Sequence, residues 1–126
     1  MPRPELAVGV GLRPGTSADD IVAAVREVVG GARIVRLATM ERRASEPGFI
    51  SAAEQLSAEI AAFSAEELEG ATVPNPSGRV AAAIGTSSVA EAAAILASGG
   101  GELVVLKSIV SGIVVAAAAI LMGEEF

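Results

Sequence analysis

Short apolar segments alternate with amphipathic segments through the first part of the chain. Residues 6–12 form an apolar run that ends in glycine, which is typical of a buried strand. Residues 18–29 then carry apolar side chains at helical spacing, after a capping-box pair formed by Ser17 and Asp20. This order predicts a strand, a glycine-rich turn and a helix that begins after Ser17.

The same alternation continues into the middle of the chain. Residues 33–38 and 59–63 are predicted strands, and Pro47 suits the first position of a helix between them. The polar and charged residues 39–46 are predicted to form a loop at the carboxyl end of the second strand. Two strands and one intervening helix therefore extend the first strand–helix unit.

The following segment is richer in alanine and glycine. Ser64 and Glu67 have capping-box spacing and predict one or two helical turns, whereas residues 80–84 suit either a short helix or a buried strand. Ser88 and Glu91 form another capping-box pair before an apolar segment that ends at three glycines. The spacing predicts a helix that begins after Ser88.

The most hydrophobic stretch is residues 103–122, which approach the length of a membrane-spanning helix. Lys107 interrupts this stretch, and no positive charges flank it. We interpret it as two buried strands around a turn near Ser111 and Gly112, because a strand in an α/β sheet reads as a continuous apolar run. The chain is therefore expected to have no membrane partner.

Apolar strands that alternate with helices indicate a sheet covered on both faces. The chain has 126 residues, of which 52% are hydrophobic, so it can bury one core without disulfides. The sequence thus predicts a single α/β domain over residues 1–126. We expect a three-layer α/β/α arrangement with a small mixed or parallel sheet of about four to five strands.

Composition excludes several kinds of chemistry. The chain contains neither cysteine nor histidine, which removes thiol nucleophiles and the commonest metal ligands, and we expect no metal site and no cofactor. A net charge of −6 and an aromatic content of 2% argue against a nucleic-acid partner. The N-terminal residues lack the apolar core of a signal peptide, so a cytoplasmic location is expected.

The segment GVGLRPGTS, residues 9–17, has the features of an anion site. Glycines allow the backbone to approach a ligand, the following helix start offers free N–H groups, and Arg13 can pair with a carboxylate or phosphate. The segment lacks the lysine of a Walker loop and the glycine spacing of the dinucleotide motif. A structural turn and a ligand site remain the two interpretations.

Charged residues elsewhere offer further candidates. Arg43 and Glu46 share a charged loop, for which a solvated loop is the alternative interpretation. Lys107 stands alone in an apolar run, where a charge is costly unless it reaches a strand end or finds a partner. We therefore interpret Lys107 as a strand-end lysine that faces a ligand.

Hydroxyl groups collect at the start of the predicted Ser88 helix. Thr86 and Ser88 lie in the sequence GTSSVAE, which resembles the first segment in having hydroxyls before a helix. Ser88 and Glu91 are explained either as a reciprocal cap or as direct ligand contacts.

These motifs together resemble a known family. The order GVGLRPGTS, LAT followed by EPG, VPNPS, GTSSVAEAAA and LKS, over residues 5 to about 119, is similar to the cobalamin-biosynthesis domain CobE and to the C-terminal domain of CbiG. The resemblance implies a three-layer α/β/α fold. CbiG proteins carry an additional N-terminal region and act as cobalt-precorrin-5A hydrolases, whereas CobE-like chains without that region belong to the oxygen-dependent route, so hydrolase activity is not simply transferred.

The resemblance also assigns residues to motifs. Arg43 stands where the family often has lysine, which keeps the charge but offers no amine nucleophile, and the last strand lacks a hydroxyl often present there. The matched positions in the first loop are Gly11, Arg13, Gly15, Thr16 and Ser17, and those in later motifs are Glu46, Ser88, Glu91 and Lys107.

We therefore expect a protein of corrin-ring synthesis that binds a carboxylate-fringed precorrin or corrinoid. A hydrolase-like enzyme acting on a precorrin and a structural partner of another cobalamin-pathway enzyme are the alternatives. Predicted helix starts stabilise charged carboxylates and make them weaker bases, which favours binding over catalysis. The candidate ligand-binding residues are Gly11, Arg13, Gly15, Thr16, Ser17, Arg43, Thr86, Ser88 and Lys107, and the candidate catalytic residues are Glu46, Glu91 and Lys107.

Overall fold

The computed structural model describes residues 5–69 and 86–120. The strands within these ranges form one five-stranded sheet in the order β3-β2-β1-β5-β4. Their bounds are β1 Glu5–Gly11, β2 Arg33–Met40, β3 Glu59–Phe63, β4 Leu103–Val110 and β5 Ile113–Ala119. The helices are α1 Ala18–Val29, α2 Glu41–Ala44, α3 Pro47–Leu56, α4 Ala65–Glu69 and α5 Thr86–Ser98.

The sheet is mixed. Strands β1, β2 and β3 run parallel, whereas β5 is antiparallel to both β1 and β4. The turn at Ser111 and Gly112 joins β4 to β5, which confirms the interpretation of the C-terminal apolar stretch as two strands. Because Gly11 pairs with Val114, this turn lies at the end of the sheet where the parallel strands finish. We call this end the carboxyl end of the sheet.

Helices cover both faces of the sheet, as the predicted three-layer arrangement requires. On one face, α1 and α3 pack through Ile21 and Phe49 against large aliphatic side chains such as Val8 and Val10. The other face is covered by α5 and α4 and is built mainly from alanine. Small side chains allow α5 to approach the sheet closely, and Gly9 lies directly beneath its backbone.

A bulge in β2 explains how its side chains are distributed between the faces. Leu6 pairs with Ile34, but Ala7 pairs with Arg36, so one extra residue is inserted in β2. Ile34 and Leu37 therefore share the α1 and α3 face although they are three residues apart. Arg36 turns to the opposite face and donates a hydrogen bond to the Ala97 carbonyl of α5 at 3.1 Å.

The predicted capping residues Ser17 and Ser64 are confirmed. The Asp20 N–H donates to Ser17 Oγ at 3.1 Å at the start of α1. At α4, the Ser64 N–H donates to Glu67 Oε1 at 2.8 Å, and the Glu67 N–H donates to Ser64 Oγ at 3.1 Å. Both oxygen groups satisfy backbone donors that a helix start leaves open.

Two local predictions are wrong. Residues 39–46 are not all loop, because β2 continues to Met40 and α2 follows it; the buried Thr39 hydroxyl donates to the Val10 carbonyl at 2.7 Å. The helix predicted to begin after Ser88 starts earlier, because the backbone of α5 already includes Thr86. The turn predicted at 72–77 and the undecided residues 80–84 lie outside the described residues.

No helix within residues 5–69 and 86–120 is long and apolar enough to cross a bilayer. The apolar C-terminal stretch instead supplies β5, whose residues are almost all buried, and its partner β4.

Candidate functional site

Two loops meet at the carboxyl end of the sheet. The first loop, residues 12–17, follows β1, and the second loop, residues 41–46, follows β2 and includes α2. The Gly15 N–H donates to Oε1 of Glu46 at 3.0 Å, and Nε of Arg43 donates to the Leu12 carbonyl at 3.3 Å. The parallel β1–β2 pairing brings both loops to the same end, so predicted site residues distant in sequence become neighbours.

The first loop also holds its own shape. The Thr16 N–H and its hydroxyl both donate to the Arg13 carbonyl, at 3.3 Å and 2.7 Å. Gly15 has a φ of +82°, a conformation that favours glycine. Ser17 then caps α1. The loop is therefore a defined turn rather than a flexible connection.

A glycine in α3 keeps the two loops in close contact. A Cβ atom at Gly48 would overlap the carbonyl oxygen of Thr16 and would lie 3.3 Å from the Ala18 nitrogen. Only glycine allows the start of α3 to approach the first loop this closely. Together with the Glu46 and Arg43 hydrogen bonds, this contact fixes the two loops as one unit.

The charged side chains of these two loops differ in whether they are free to contact a ligand. Arg13 is exposed, and no hydrogen bond or ion pair joins its guanidinium to another of the described residues. Arg43 and Glu46 are half-buried, and each is bound to the first loop. Gly11 is buried at the end of β1. Arg13 is thus the cation that the first loop presents to solvent, and Arg42 of the second loop is likewise exposed.

Lys107 and Glu91 form a second group, on β4 and α5. The side chain of Lys107 is exposed, and its backbone N–H donates to Oε2 of Glu91 at 3.2 Å. The interpretation of Lys107 as a strand-end residue is wrong, because β4 continues to Val110; its charge reaches solvent because β4 is an edge strand of the described sheet. Glu91 is only 8% exposed. One strand, β5, separates β4 from β1, so β4 lies about 10 Å to the side of β1 by ordinary strand spacing. Lys107 is level with Gly9 and not with the first loop, because it lies between residues that pair with Ala117 and Val115, and Ala116 pairs with Gly9. No hydrogen bond between described residues joins it to the two loops.

The direction of α5 places the remaining candidates. Its backbone passes over Gly9 at Ala90 and reaches Arg36 at Ala97, which is closer to the amino ends of the parallel strands. The helix therefore begins toward the carboxyl end of the sheet. The backbone of Thr86 and Ser88 lies at that beginning.

The overall sequence decides the family. It matches the family described as Cobalamin synthesis G C-terminus over residues 6–118, from β1 to β5. The chain belongs to this family. It is accordingly a protein of cobalamin biosynthesis, and the resemblance to CobE and to the C-terminal domain of CbiG is confirmed.

Two solved structures from the same pathway are similar to this chain. CobE, a protein from the cobalamin (vitamin B12) biosynthetic pathway, has a TM-score of 0.74 and 28% identity, covering 98% of this chain and 98% of CobE. The cobalamin biosynthesis protein chiG from Agrobacterium tumefaciens strain C58 has a TM-score of 0.69 and 32% identity, covering 90% and 97%. Among curated protein sequences, none matches the chain.

Three features of this member of the Cobalamin synthesis G C-terminus family have no clear signal in its sequence. The run LVVLKSIV predicts a buried strand, yet Val104, Leu106 and Ile109 are 53%, 60% and 68% exposed. Their exposure follows from the place of β4 at the edge of the described sheet, which depends on strand order. The contacts of Glu46 and Gly48 with the first loop also join segments about thirty residues apart. The sequence gives one weak signal, Gly48 directly after Pro47, that α3 approaches another segment closely.

Proposed function

We propose that this protein binds a carboxylate-fringed precorrin or corrinoid intermediate of cobalamin biosynthesis at the carboxyl end of its sheet. The observation that carries the proposal is the exposed Arg13 on a loop that Glu46 and Gly48 hold in place. A guanidinium group pairs with a carboxylate through two parallel hydrogen bonds. Fixing the loop beforehand lowers the ordering cost of binding.

The exposed side chains of β4 suit the apolar body of such a ligand. Val104, Leu106 and Ile109 lie on the strand that carries Lys107, and they are the most exposed large apolar side chains among the described residues. Three exposed aliphatic residues within one short strand form a patch rather than scattered surface positions. A flat, largely apolar macrocycle with carboxylates on its rim needs this combination of aliphatic surface and cations.

The overall negative charge of the chain opposes a polycarboxylate only at long range. The net charge is −6, which would repel a polycarboxylate at long range. Salt screens such a field within about 8 to 10 Å, so the local groups decide the contact. Arg13 and Lys107 supply exposed positive charge at the two described candidate groups. The resemblance to CobE favours the oxygen-dependent route as the source of the ligand.

The alternative is an enzyme that hydrolyses a precorrin with Glu46 or Glu91 as general base. Both carboxylates already accept backbone N–H groups, from Gly15 and Lys107 respectively. A base must instead reach a proton of the substrate or a water molecule. These contacts favour a role in holding the site over a role in proton transfer. A non-catalytic structural partner of another pathway enzyme is the third possibility.

A titration distinguishes the binding protein from the enzyme. Purified protein is mixed with hydrogenobyrinic acid or a lactone-bearing precorrin, and visible absorption and ligand mass are followed. We expect a saturable spectral change, a stoichiometric complex and an unchanged ligand mass. A fully amidated corrinoid serves as the matched control and should bind more weakly. Multiple turnovers with loss of mass, abolished by Glu46→Gln or Glu91→Gln, would show an enzyme. No spectral change with any corrinoid would contradict binding.

The apolar part of the proposal is tested at Leu106. We expect Leu106→Asn to weaken hydrogenobyrinic acid binding by about 1 kcal/mol, part of the free energy of burying a leucine. The unfolding transition should not move, because the side chain is 60% exposed in the free protein. Ile60→Asn on β3, where the residue is 41% exposed, is the matched control and should leave affinity unchanged. Equal affinities of the two variants would remove β4 from the site.

A further inference from the structure

Strand β4 contains a bulge at Lys107. Val105 pairs with Ala117 and Ser108 pairs with Val115, so three steps along β4 correspond to two along β5. One residue of the pair Leu106 and Lys107 is therefore extra to the ladder. A bulge leaves a backbone group without its ladder partner and redirects the neighbouring side chains.

Glu91 supplies a partner for that backbone group. Its Oε2 accepts the Lys107 N–H at 3.2 Å, across sixteen residues of sequence. The glutamate is 8% exposed, and a buried carboxylate is costly unless it is hydrogen-bonded. The bond therefore stabilises both the carboxylate and the bulge. It ties β4 to α5 at one of the two positions where β4 departs from regular pairing, the other lying between Leu103 and Val105.

The same contact leaves the Lys107 ammonium group available. No ion pair between the Lys107 ammonium and a described carboxylate is present, and the side chain is exposed. The carboxylate of Glu91 thus meets the main chain of Lys107, while the charge of Lys107 faces solvent.

We propose that Glu91 is a positioning residue that holds the β4 bulge so that the Lys107 ammonium faces a carboxylate of the bound macrocycle. This inference rests on the proposed function, because it explains how Glu91 orients the Lys107 ammonium group within that site. The exposed Leu106 beside the bulge would then lie against the apolar face of the same ligand. Bulges that redirect a side chain next to a site are a recurrent feature of sheets.

A merely structural role for Glu91 makes different predictions from a positioning role. A lysine and a bulge on an edge strand also discourage pairing with other chains, and a buried glutamate at a bulge could serve only to stabilise it. In that case Glu91 and Lys107 would affect stability and binding independently. In the positioning case their effects on binding must be coupled, because one acts through the other.

The test is a double-mutant cycle measured by titration with hydrogenobyrinic acid. Lys107→Ala should weaken binding about tenfold, as expected for a lost hydrogen bond to a charged group. Glu91→Met, which keeps the length but has no comparable acceptor, should weaken binding to a similar extent, and the double variant should bind no worse than Lys107→Ala. Glu91→Gln retains an acceptor oxygen and should bind within about twofold of the unmodified protein. Glu102→Gln, an exposed change next to β4, is the control.

Hydrogen exchange of the Lys107 amide gives a readout that does not depend on ligand. We expect protection in the unmodified protein and in Glu91→Gln, and faster exchange in Glu91→Met. Additive effects of Glu91→Met and Lys107→Ala would overturn the inference, and so would full affinity of Glu91→Met despite lost protection. If Glu91→Met does not fold, a large loss of affinity in Glu91→Gln contradicts the inference.

Two variants distinguish failure of this inference from failure of the proposed function. If Lys107→Ala keeps its affinity and Arg13→Ala loses affinity, this inference alone is refuted. If both variants keep their affinity, the proposed site is refuted.

Discussion

Replacing Gly9 by alanine is expected to lower the free energy of unfolding by about 3 kcal/mol, the upper part of the range for overpacking a core. Gly9 lies in β1, at the centre of the described sheet, beneath α5. A Cβ atom there would overlap the Ala90 carbonyl oxygen and lie 2.7 Å from the Ala94 nitrogen. Both are backbone atoms, so no side-chain rotation can relieve the overlap. The helix would have to move away from the sheet.

Denaturant unfolding followed by far-ultraviolet circular dichroism measures this effect, because the chain contains no tryptophan and no tyrosine. Gly31→Ala is the matched control. Nothing lies within 4 Å of a Cβ atom built at Gly31, and its φ is not in the left-handed region. We expect this control to be as stable as the unmodified protein, or slightly more stable. Equal stability of the two variants would mean that α5 does not pack on Gly9 as described.

Local sequence patterns predict the order of elements well because their causes are local. The Ser17 and Ser64 caps depend on contacts within three residues of each oxygen, and both are present in the structure. The same spacing at Ser88 predicts a helix start that α5 does not use, since Thr86 is already helical. There, Glu91 accepts the distant Lys107 N–H. A spacing rule cannot weigh a tertiary hydrogen bond against a local one.

Strand irregularities limit what the sequence predicts about the site. Alternation along residues 33–38 suggests a regular strand, but the bulge in β2 turns Arg36 toward α5. The bulge in β4 similarly changes the surroundings of Lys107. Whether a residue in an apolar run is buried depends on its strand's place in the sheet, and β4 lies at an edge. Register and strand order are set by long-range pairing, which one sequence does not specify.

In the candidate site, too, the sequence predicts the features that depend on neighbouring residues and not those that depend on distant ones. The glycines and Arg13 of the first loop suggest an anion site from sequence, because their chemistry is local. The role of Glu46 depends on a partner 31 residues away, so the sequence permits a general base where the structure has a carboxylate bound to Gly15. The two loops form one unit only because β1 and β2 are parallel neighbours.

Arg13→Ala is expected to weaken hydrogenobyrinic acid binding by about 1.5 to 3 kcal/mol, which is about ten- to hundredfold in Kd. The first loop should keep its shape, because Thr16 and Glu46 hold its backbone through the Arg13 carbonyl and the Gly15 N–H. Stability should therefore not change, and the loss should lie in binding alone. Arg13→Lys should recover only part of the affinity, because an ammonium group cannot form the parallel pair of hydrogen bonds.

Arg26→Ala provides the matched control for charge. Arg26 lies in the last turn of α1, at the opposite end of the helix from the first loop, and its removal changes the net charge equally. If binding depended on overall charge, the two alanine variants would lose affinity to the same extent, and added salt would remove the difference from the unmodified protein. A specific contact requires that Arg13→Ala alone weakens binding at physiological salt. Affinity that is unchanged in Arg13→Ala would exclude Arg13 from the ligand site and would remove the observation that carries the proposed function.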